Sequence, residues 1–160
     1  MKQHEFITLI KPFKDKLYRL AKRMLISNEE AEDATQEVLL KLWKAETSAF
    51  KNVEAMAMTM TKNYCLDQLK AKRSNNLSIT HNNYSDNLSL ENQIISKDNL
   101  YNVEKIINSL PEQQRIIVQL REIEEYEFAE IAKVLDMNET AIRVALSRAR
   151  KTIREKFSQL

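Results

Sequence analysis

Arginine, threonine and serine recur at helical spacing close to the C-terminus, in a pattern suited to binding DNA. Between residues 139 and 157 the apolar positions follow one stripe of a helix, and polar or basic positions occupy the opposite face. Arginine can donate two hydrogen bonds to guanine, while serine, threonine and lysine bind phosphate oxygens. The residues predicted to face nucleic acid are Asn138, Glu139, Thr140, Arg143, Val144, Ser147, Arg148 and Lys151.

A second, shorter helix must precede this basic helix to position it. Its predicted buried face consists of Phe128, Ile131, Ala132 and Leu135. The apolar pattern then stops at Asp136, which tolerates the left-handed conformation better than most residues. Met137 can tuck beneath both helices, and Asn138 is suited to cap the next one. The segment therefore predicts a DNA-binding helix-turn-helix.

An ordinary solvent-exposed helix face is the alternative explanation, and the distribution of charge argues against it. Acidic residues dominate before the turn, whereas the residues after it are mostly basic. Basic residues near a helix C-terminus complement the helix dipole, which accounts for part of this asymmetry. It does not account for Arg143 and Arg148 in the middle of the helix.

Composition restricts the fold and the chemistry. The chain has 160 residues, 43% of them hydrophobic and 30% charged, and a net charge of +2. It contains no glycine, which excludes glycine-rich phosphate-binding loops and disfavours tight hairpins. The only cysteine, Cys65, is expected in or beside a core, and His4 and His81 lack metal-ligand spacing. We expect an all-α protein with no catalytic residues, metal or cofactor.

The apolar residues offer no segment for a membrane. No apolar run approaches the roughly 20 residues that a membrane span needs, and polar residues interrupt the N-terminal segment. We therefore expect no membrane insertion and a cytoplasmic location.

The pattern divides the chain into two small helical domains joined by a tether. Residues 1–73 form the first domain, residues 74–99 a flexible linker rich in asparagine and serine, and residues 100–160 the second. The first domain is predicted to contain one helix over residues 9–25, opened or kinked by Pro12, and further helices over residues 28–45 and 53–73. The inner face of the last helix is predicted to comprise Val53, Met56, Ala57, Met60 and Tyr64.

A polar cluster lies beside the apolar stripe of the predicted helix over residues 28–45. Ser27 and Glu30 have the spacing of a capping box at the start of that helix. The members of the cluster are Asp33, Gln36, Glu37 and Lys41. Paired carboxylates can perform acid–base catalysis, but no histidine or metal partner accompanies these. A solvated face is an alternative, and a protein-docking face is the interpretation that we favour.

The next helix ends in a concentration of positive charge and amide groups. Lys62, Asn63, Lys70, Lys72 and Arg73 could contact phosphates and unstacked bases. A cationic helix C-terminus also satisfies the helix dipole, so these residues alone leave the two explanations open.

Taken together, these segments resemble the extracytoplasmic-function (ECF) group of bacterial RNA polymerase sigma factors. NEEAEDATQEVLLKLW is similar to the family's core-polymerase-binding helix, and KNYCLDQLKAKR to its helix that reads and melts the −10 element. LPEQQRIIVQL, the helix-turn-helix and ALSRARK resemble its domain that reads the −35 element. The chain departs from the family at Asp136, where glycine is usual, and at Met56, where an aromatic residue is common.

The resemblance implies partners and roles for the clusters. Asp33, Gln36 and Glu37 would dock on the clamp of the largest subunit of core RNA polymerase, and the loop over residues 46–52 with Lys62 and Asn63 would bind the melted promoter strand. The linker would run toward the RNA exit path, while Arg143, Ser147 and Arg148 would read or anchor the −35 element. The family also implies an inhibitory anti-sigma factor.

Two other functions remain possible from the residues alone. One is a regulator that binds a palindrome as a dimer, although the chain shows no dimerisation heptads. The other is an adaptor whose two domains bind only proteins.

Overall fold

The computed structural model of the chain describes residues 2–45, 51–76 and 99–160. These residues form helices and short connections, and no strand occurs among them, which confirms the all-α prediction. Residues 2–45 and 51–76 are here named the first unit, and residues 99–160 the second unit. The first unit contains α1 (Gln3–Ile10), α2 (Lys14–Leu25), α3 (Asn28–Lys44) and α4 (Val53–Asn76). The second contains α5 (Asn99–Asn108), α6 (Glu112–Val118), a π-helical turn (Gln119–Ile123), α7 (Phe128–Leu135) and α8 (Glu139–Ser158).

Two helices, not one, span the N-terminal segment. The predicted helix over residues 9–25 begins later than expected, at Lys14, because the chain turns over residues 11–13; Pro12 lies in that turn, near the start of α2, where it was expected to open or kink the helix. Pro12 has no N–H to donate to the preceding turn, so the helical hydrogen-bond ladder ends there. The amide of Phe13 instead donates to the carbonyl of Ile10 at 3.0 Å.

The start of α3 follows its sequence signal. Ser27 has extended backbone angles, and its hydroxyl accepts a hydrogen bond from the Glu30 amide at 3.3 Å. The Glu30 carboxylate pairs with the Lys72 ammonium of α4 at 2.5 Å. Glu30 therefore joins α3 to α4 in addition to its place in the first turn of α3.

The buried side of α4 differs from the predicted one at Met56. The prediction placed Met56 inside, but its side chain is exposed, whereas Met58, Thr61 and Cys65 are fully buried with Ala57. α2 and α3 of the first unit and α7 of the second all contact α4, and its buried stripe lies at these positions. Thr61 is tolerated there because its hydroxyl donates to the carbonyl of Ala57 at 2.8 Å.

The second unit packs α5, α6 and α7 against α8. Pro111 precedes α6 as expected for a helix start. The fully buried apolar side chains include Ile117, Leu120, Ile131, Ile142 and Leu146. The predicted linker over residues 74–99 lies mostly outside the described residues, although α4 continues to Asn76 and α5 begins at Asn99.

The two units lie against each other. α4 contacts α7, and α2 contacts α6 and the π-helical turn. A polar cluster accompanies these contacts: the Arg23 guanidinium, which is buried, bonds Gln119 Oε1, Glu104 Oε2 and Asn108 Oδ1, each at 2.9 Å. Nearby, the Tyr126 hydroxyl donates to Glu54 Oε2 at 2.8 Å.

Candidate nucleic-acid interface

The turn between α7 and α8 is built without glycine. Asp136 adopts the left-handed conformation, with φ 53° and ψ 51°, which aspartate tolerates better than most residues. Asn138 then caps α8, because its Oδ1 accepts a hydrogen bond from the Ala141 amide at 2.7 Å. Met137 is partly buried against the core. A helix, a left-handed residue and a capped second helix complete the predicted helix-turn-helix.

The outer side of α8 carries the residues that the sequence assigned to nucleic acid. Ile142, Ala145, Leu146 and Ala149 turn inward and are buried. The eight predicted positions are all exposed, and they are Asn138, Glu139, Thr140, Arg143, Val144, Ser147, Arg148 and Lys151. A helix held by one side, with basic and hydroxyl groups on the other, has the form of a major-groove recognition helix.

One edge of this face has features that the sequence analysis missed. The ring of Phe128, at the start of α7, lies under two guanidinium groups, those of Arg121 and Arg143, each 4.4 Å from the ring centroid. Arg150 and Arg154 then line an open cavity of about 350 Å³ together with Arg143, Ser147, Phe128 and Leu146. Helical spacing from Arg143 was the available signal, since positions four, seven and eleven residues later share its edge.

The five predicted residues of α4 do not share one environment. Asn63 and Lys70 are exposed and available. The Lys72 ammonium is held by Glu30, and the Arg73 guanidinium lies 3.5 Å from Glu112 of the second unit. The structure therefore distinguishes two open positions from two that already have ion-pair partners.

The fifth residue, Lys62, faces the second unit. Partial burial lowers the pKa of its ammonium, and the charge of Asp136 in the helix-turn-helix opposes that effect. Lys62 is thus half-buried, and its ammonium interacts electrostatically with Asp136 of the second unit.

The predicted docking cluster occupies the outer side of α3. Asp33, Gln36 and Lys41 are exposed, and Glu37 is half-buried. Leu40, which the sequence analysis did not select, lies among them with 46% of its side chain exposed. The Lys41 ammonium lies 5.6 Å from the ring centroid of Tyr64, which links this face to α4.

The outer side of α3 therefore presents an exposed apolar side chain among charged ones. The outer sides of α3 and α8 are two separate exposed faces, one on each unit.

The described residues contain no group of His, Cys, Asp and Glu side chains arranged to hold a metal ion. The thiol of Cys65 is buried, and burial raises its pKa to about 12, so it is not a nucleophile near neutral pH. No helix among these residues is long and apolar enough to cross a membrane.

Comparison with known families accounts for both units. Residues 9–75 match the family Sigma-70 region 2, and residues 100–153 match Sigma-70, region 4. The ECF RNA polymerase sigma factor SigW of Bacillus subtilis is 22% identical over 99% of this chain and 91% of its own length. The ECF RNA polymerase sigma-E factor of Escherichia coli is 26% identical over 99% of this chain and 89% of its own.

Solved structures share the fold. The sigma factor RpoE of Bartonella quintana, crystallised with the anti-sigma factor NepR, superimposes with a TM-score of 0.77 at 19% identity and covers 96% of this chain and 97% of its own. CnrH, in complex with the cytosolic domain of CnrY, gives a TM-score of 0.71 at 18% identity over 99% of this chain and 90% of its own. The chain belongs to the ECF group of RNA polymerase sigma factors, which direct RNA polymerase in transcription initiation.

Proposed function

We propose that this sigma factor works through three surfaces: the outer side of α3 for core polymerase, the exposed side of α4 for the −10 region, and the outer side of α8 for the −35 element. The observation that carries the proposal is a pair of exposed helix faces on two units: one with charged residues around Leu40 on α3, and one with basic and hydroxyl residues on α8. A factor with these faces brings polymerase and promoter together by binding both, and it needs no catalytic group.

Polymerase docking is assigned to Asp33, Gln36, Glu37 and Lys41, with Leu40 at the centre. Leu40 is exposed among charged neighbours, so its burial by a partner would release water from an apolar side chain. The surrounding charges would then select a basic complementary surface on the clamp of the largest polymerase subunit.

Promoter opening is assigned to α4. Asn63 can hydrogen-bond the edges of unpaired bases, and Lys70 can bind the backbone phosphates beside them. Lys62 would join them once Asp136 no longer lies beside it. Because polymerase and chromosome share one compartment, we place this activity in the cytoplasm, with no reaction catalysed by the chain itself.

We further propose an anti-sigma partner. The two solved relatives were each captured with another protein, named as an anti-sigma factor for RpoE and as CnrY for CnrH. This chain has the same fold over nearly its whole length, so a protein that holds it inactive is the corresponding expectation.

The test is co-migration with core RNA polymerase on a sizing column. The wild-type chain should elute with core enzyme, and Leu40→Ala combined with Glu37→Ala should weaken the complex by at least about tenfold, in the range of interface hot spots. Glu32→Ala, an exposed change on the same helix, is the matched control. If the wild-type chain never elutes with core enzyme, the proposed function is wrong.

A further inference from the structure

The contact between Phe128 and Arg143 assigns a specific task to one edge of α8. Arg143 is 61% exposed, yet its guanidinium carbon lies 4.4 Å from the centroid of the Phe128 ring. An exposed arginine loses conformational freedom when it stacks on an aromatic ring, and the cation–π attraction compensates for that loss. The stack therefore holds Arg143 toward α7 and away from the outermost line of α8.

Three further groups share that edge. Ser147, Arg150 and Arg154 line the same cavity of about 350 Å³ as Arg143, with Phe128 and Leu146 as its apolar part. Two carboxylates approach the cluster. Glu139 lies 3.8 Å from Arg143, and Glu122 accepts from Arg150 Nε at 2.6 Å. A guanidinium has five N–H donors, so the bond to Glu122 leaves the terminal NH2 groups of Arg150 for another acceptor.

The position of this edge in a DNA complex follows from the motif. The recognition helix lies in the major groove while the first helix crosses the DNA backbone, so the edge of α8 beside α7 faces a backbone strand. We propose that Phe128 is a positioning residue that holds Arg143 as a phosphate ligand, completing a backbone clamp with Arg150 and Arg154. We then assign base reading to the outermost line of α8, which contains Thr140, Val144 and Lys151. Arg148, on the side of that line away from Arg143, is assigned to base reading as well.

This inference rests on the proposed function, since it assumes that α8 enters a promoter. It differs from the sequence-based expectation that Arg143 reads bases or anchors DNA, because it assigns Arg143 to the backbone alone. The number of phosphates neutralised sets the dependence of DNA affinity on salt, whereas a base contact changes the preference at one position.

The experiment measures binding of the holoenzyme to a duplex selected by that holoenzyme from a randomised −35 library, across a series of KCl concentrations. Arg143→Ala, Arg150→Gln and Arg154→Gln should each weaken binding about tenfold and reduce the slope of log affinity against log salt by roughly 0.9. The preferred −35 sequence should stay the same. Lys105→Gln, an exposed charge removal on α5, should leave both quantities unchanged.

Phe128 is tested through its dependence on Arg143. Phe128→Leu should weaken binding about two- to fivefold, while Phe128→Tyr, which keeps the ring, should bind as the wild type does. In the Arg143→Ala background, Phe128→Leu should have no further effect, and matched thermal melts show that each variant is folded. Full additivity of the two changes, or a changed base preference at one position in Arg143→Ala, would overturn the proposal.

Failure of the proposed function would be recognisable separately, because no holoenzyme would form. The same variants would then be measured as the full chain on random-sequence duplex across a series of low KCl concentrations. An unchanged salt slope for Arg143→Ala and Arg150→Gln on that DNA would still refute the clamp.

Discussion

The Arg19 guanidinium forms a two-point ion pair with the Glu124 carboxylate, although the two residues lie in different units. Arg19 Nε is 2.9 Å from Glu124 Oε2, and Arg19 Nη2 is 2.7 Å from Oε1. The Glu124 side chain is 2% exposed, and Gln119 Nε2 also donates to it at 2.8 Å. The hydrogen bond to Glu124 raises the pKa of Arg19. This pair fixes α2 of the first unit to the end of the π-helical turn in the second.

Loss of Arg19 should therefore destabilise the whole chain. In Arg19→Ala the buried Glu124 carboxylate keeps only Gln119, and the free energy of unfolding should fall by about 2 kcal/mol. The fall is smaller than for a fully buried pair because Arg19 itself is 44% exposed and water can replace it. Urea denaturation measures the change, and Lys14→Ala on the exposed side of α2 is the control.

A double variant checks that the effect belongs to the pair. Glu124→Gln removes the buried charge, so adding Arg19→Ala to it should cost much less than Arg19→Ala alone. Equal costs in both backgrounds would show that Arg19 stabilises the chain by some other contact.

Two residues in the left-handed conformation should differ in how replacement by glycine changes the melting temperature. Ile26 ends α2 at φ 54°, and Asp136 ends α7 at φ 53°. A β-branched side chain is strained in this region by about 1–2 kcal/mol, whereas aspartate is accommodated with less strain. Ile26→Gly should therefore raise the melting temperature more than Asp136→Gly does, since Ile26 is also 48% exposed and contributes little burial. A lower melting temperature for Ile26→Gly would contradict this explanation.

The buried thiol gives a prediction about pH. Burial raises the pKa of Cys65 from its ordinary 9.0 to about 12, so the folded chain keeps the thiol protonated where the unfolded chain does not. The resulting contribution to stability is complete below pH 9 and is lost as the pH rises from about 9 toward 12. Consistent with this, a thiol-specific reagent at pH 8 should label Cys65 only after urea unfolding. Rapid labelling of the folded chain would show that the thiol is accessible.

The polar residues on α4 that were predicted to bind DNA have different environments, and we therefore expect different roles for them. Asn63→Ala and Lys70→Ala should reduce the permanganate reactivity of unpaired thymines at the promoter, because both side chains are open to DNA. Lys72→Ala should affect that signal less and thermal stability more, since its ammonium is bound to Glu30 across α3 and α4. Similar promoter opening by all three variants would leave this division without support.

Sequence periodicity and capping predicted most of the fold, because both depend on neighbouring residues. The caps at Ser27 and Asn138 were predicted from side-chain chemistry a few residues away. The exposure of Met56 depends on which helices cover α4, and that information lies far along the chain.

The features of the site that could not be predicted from the sequence also depend on contacts between residues far apart along the chain. Arg150 and Arg154 share the helical edge of Arg143, but the cavity that they line is completed by Phe128, which belongs to another helix. Lys62 was selected from its local charge, whereas its electrostatic interaction with Asp136 involves a residue far along the chain. Contacts between units separated by many residues are not encoded in any local pattern.

Specific transcription by the reconstituted holoenzyme tests the central claim most directly. Core RNA polymerase, a promoter fragment recovered by mapping the DNA that the holoenzyme occupies in cells, and this chain should yield a transcript with one defined start. Core polymerase alone should yield none, and the docking-face variant Leu40→Ala with Glu37→Ala should yield little. A chain that binds this DNA yet produces no more defined transcript than core polymerase alone would contradict the account.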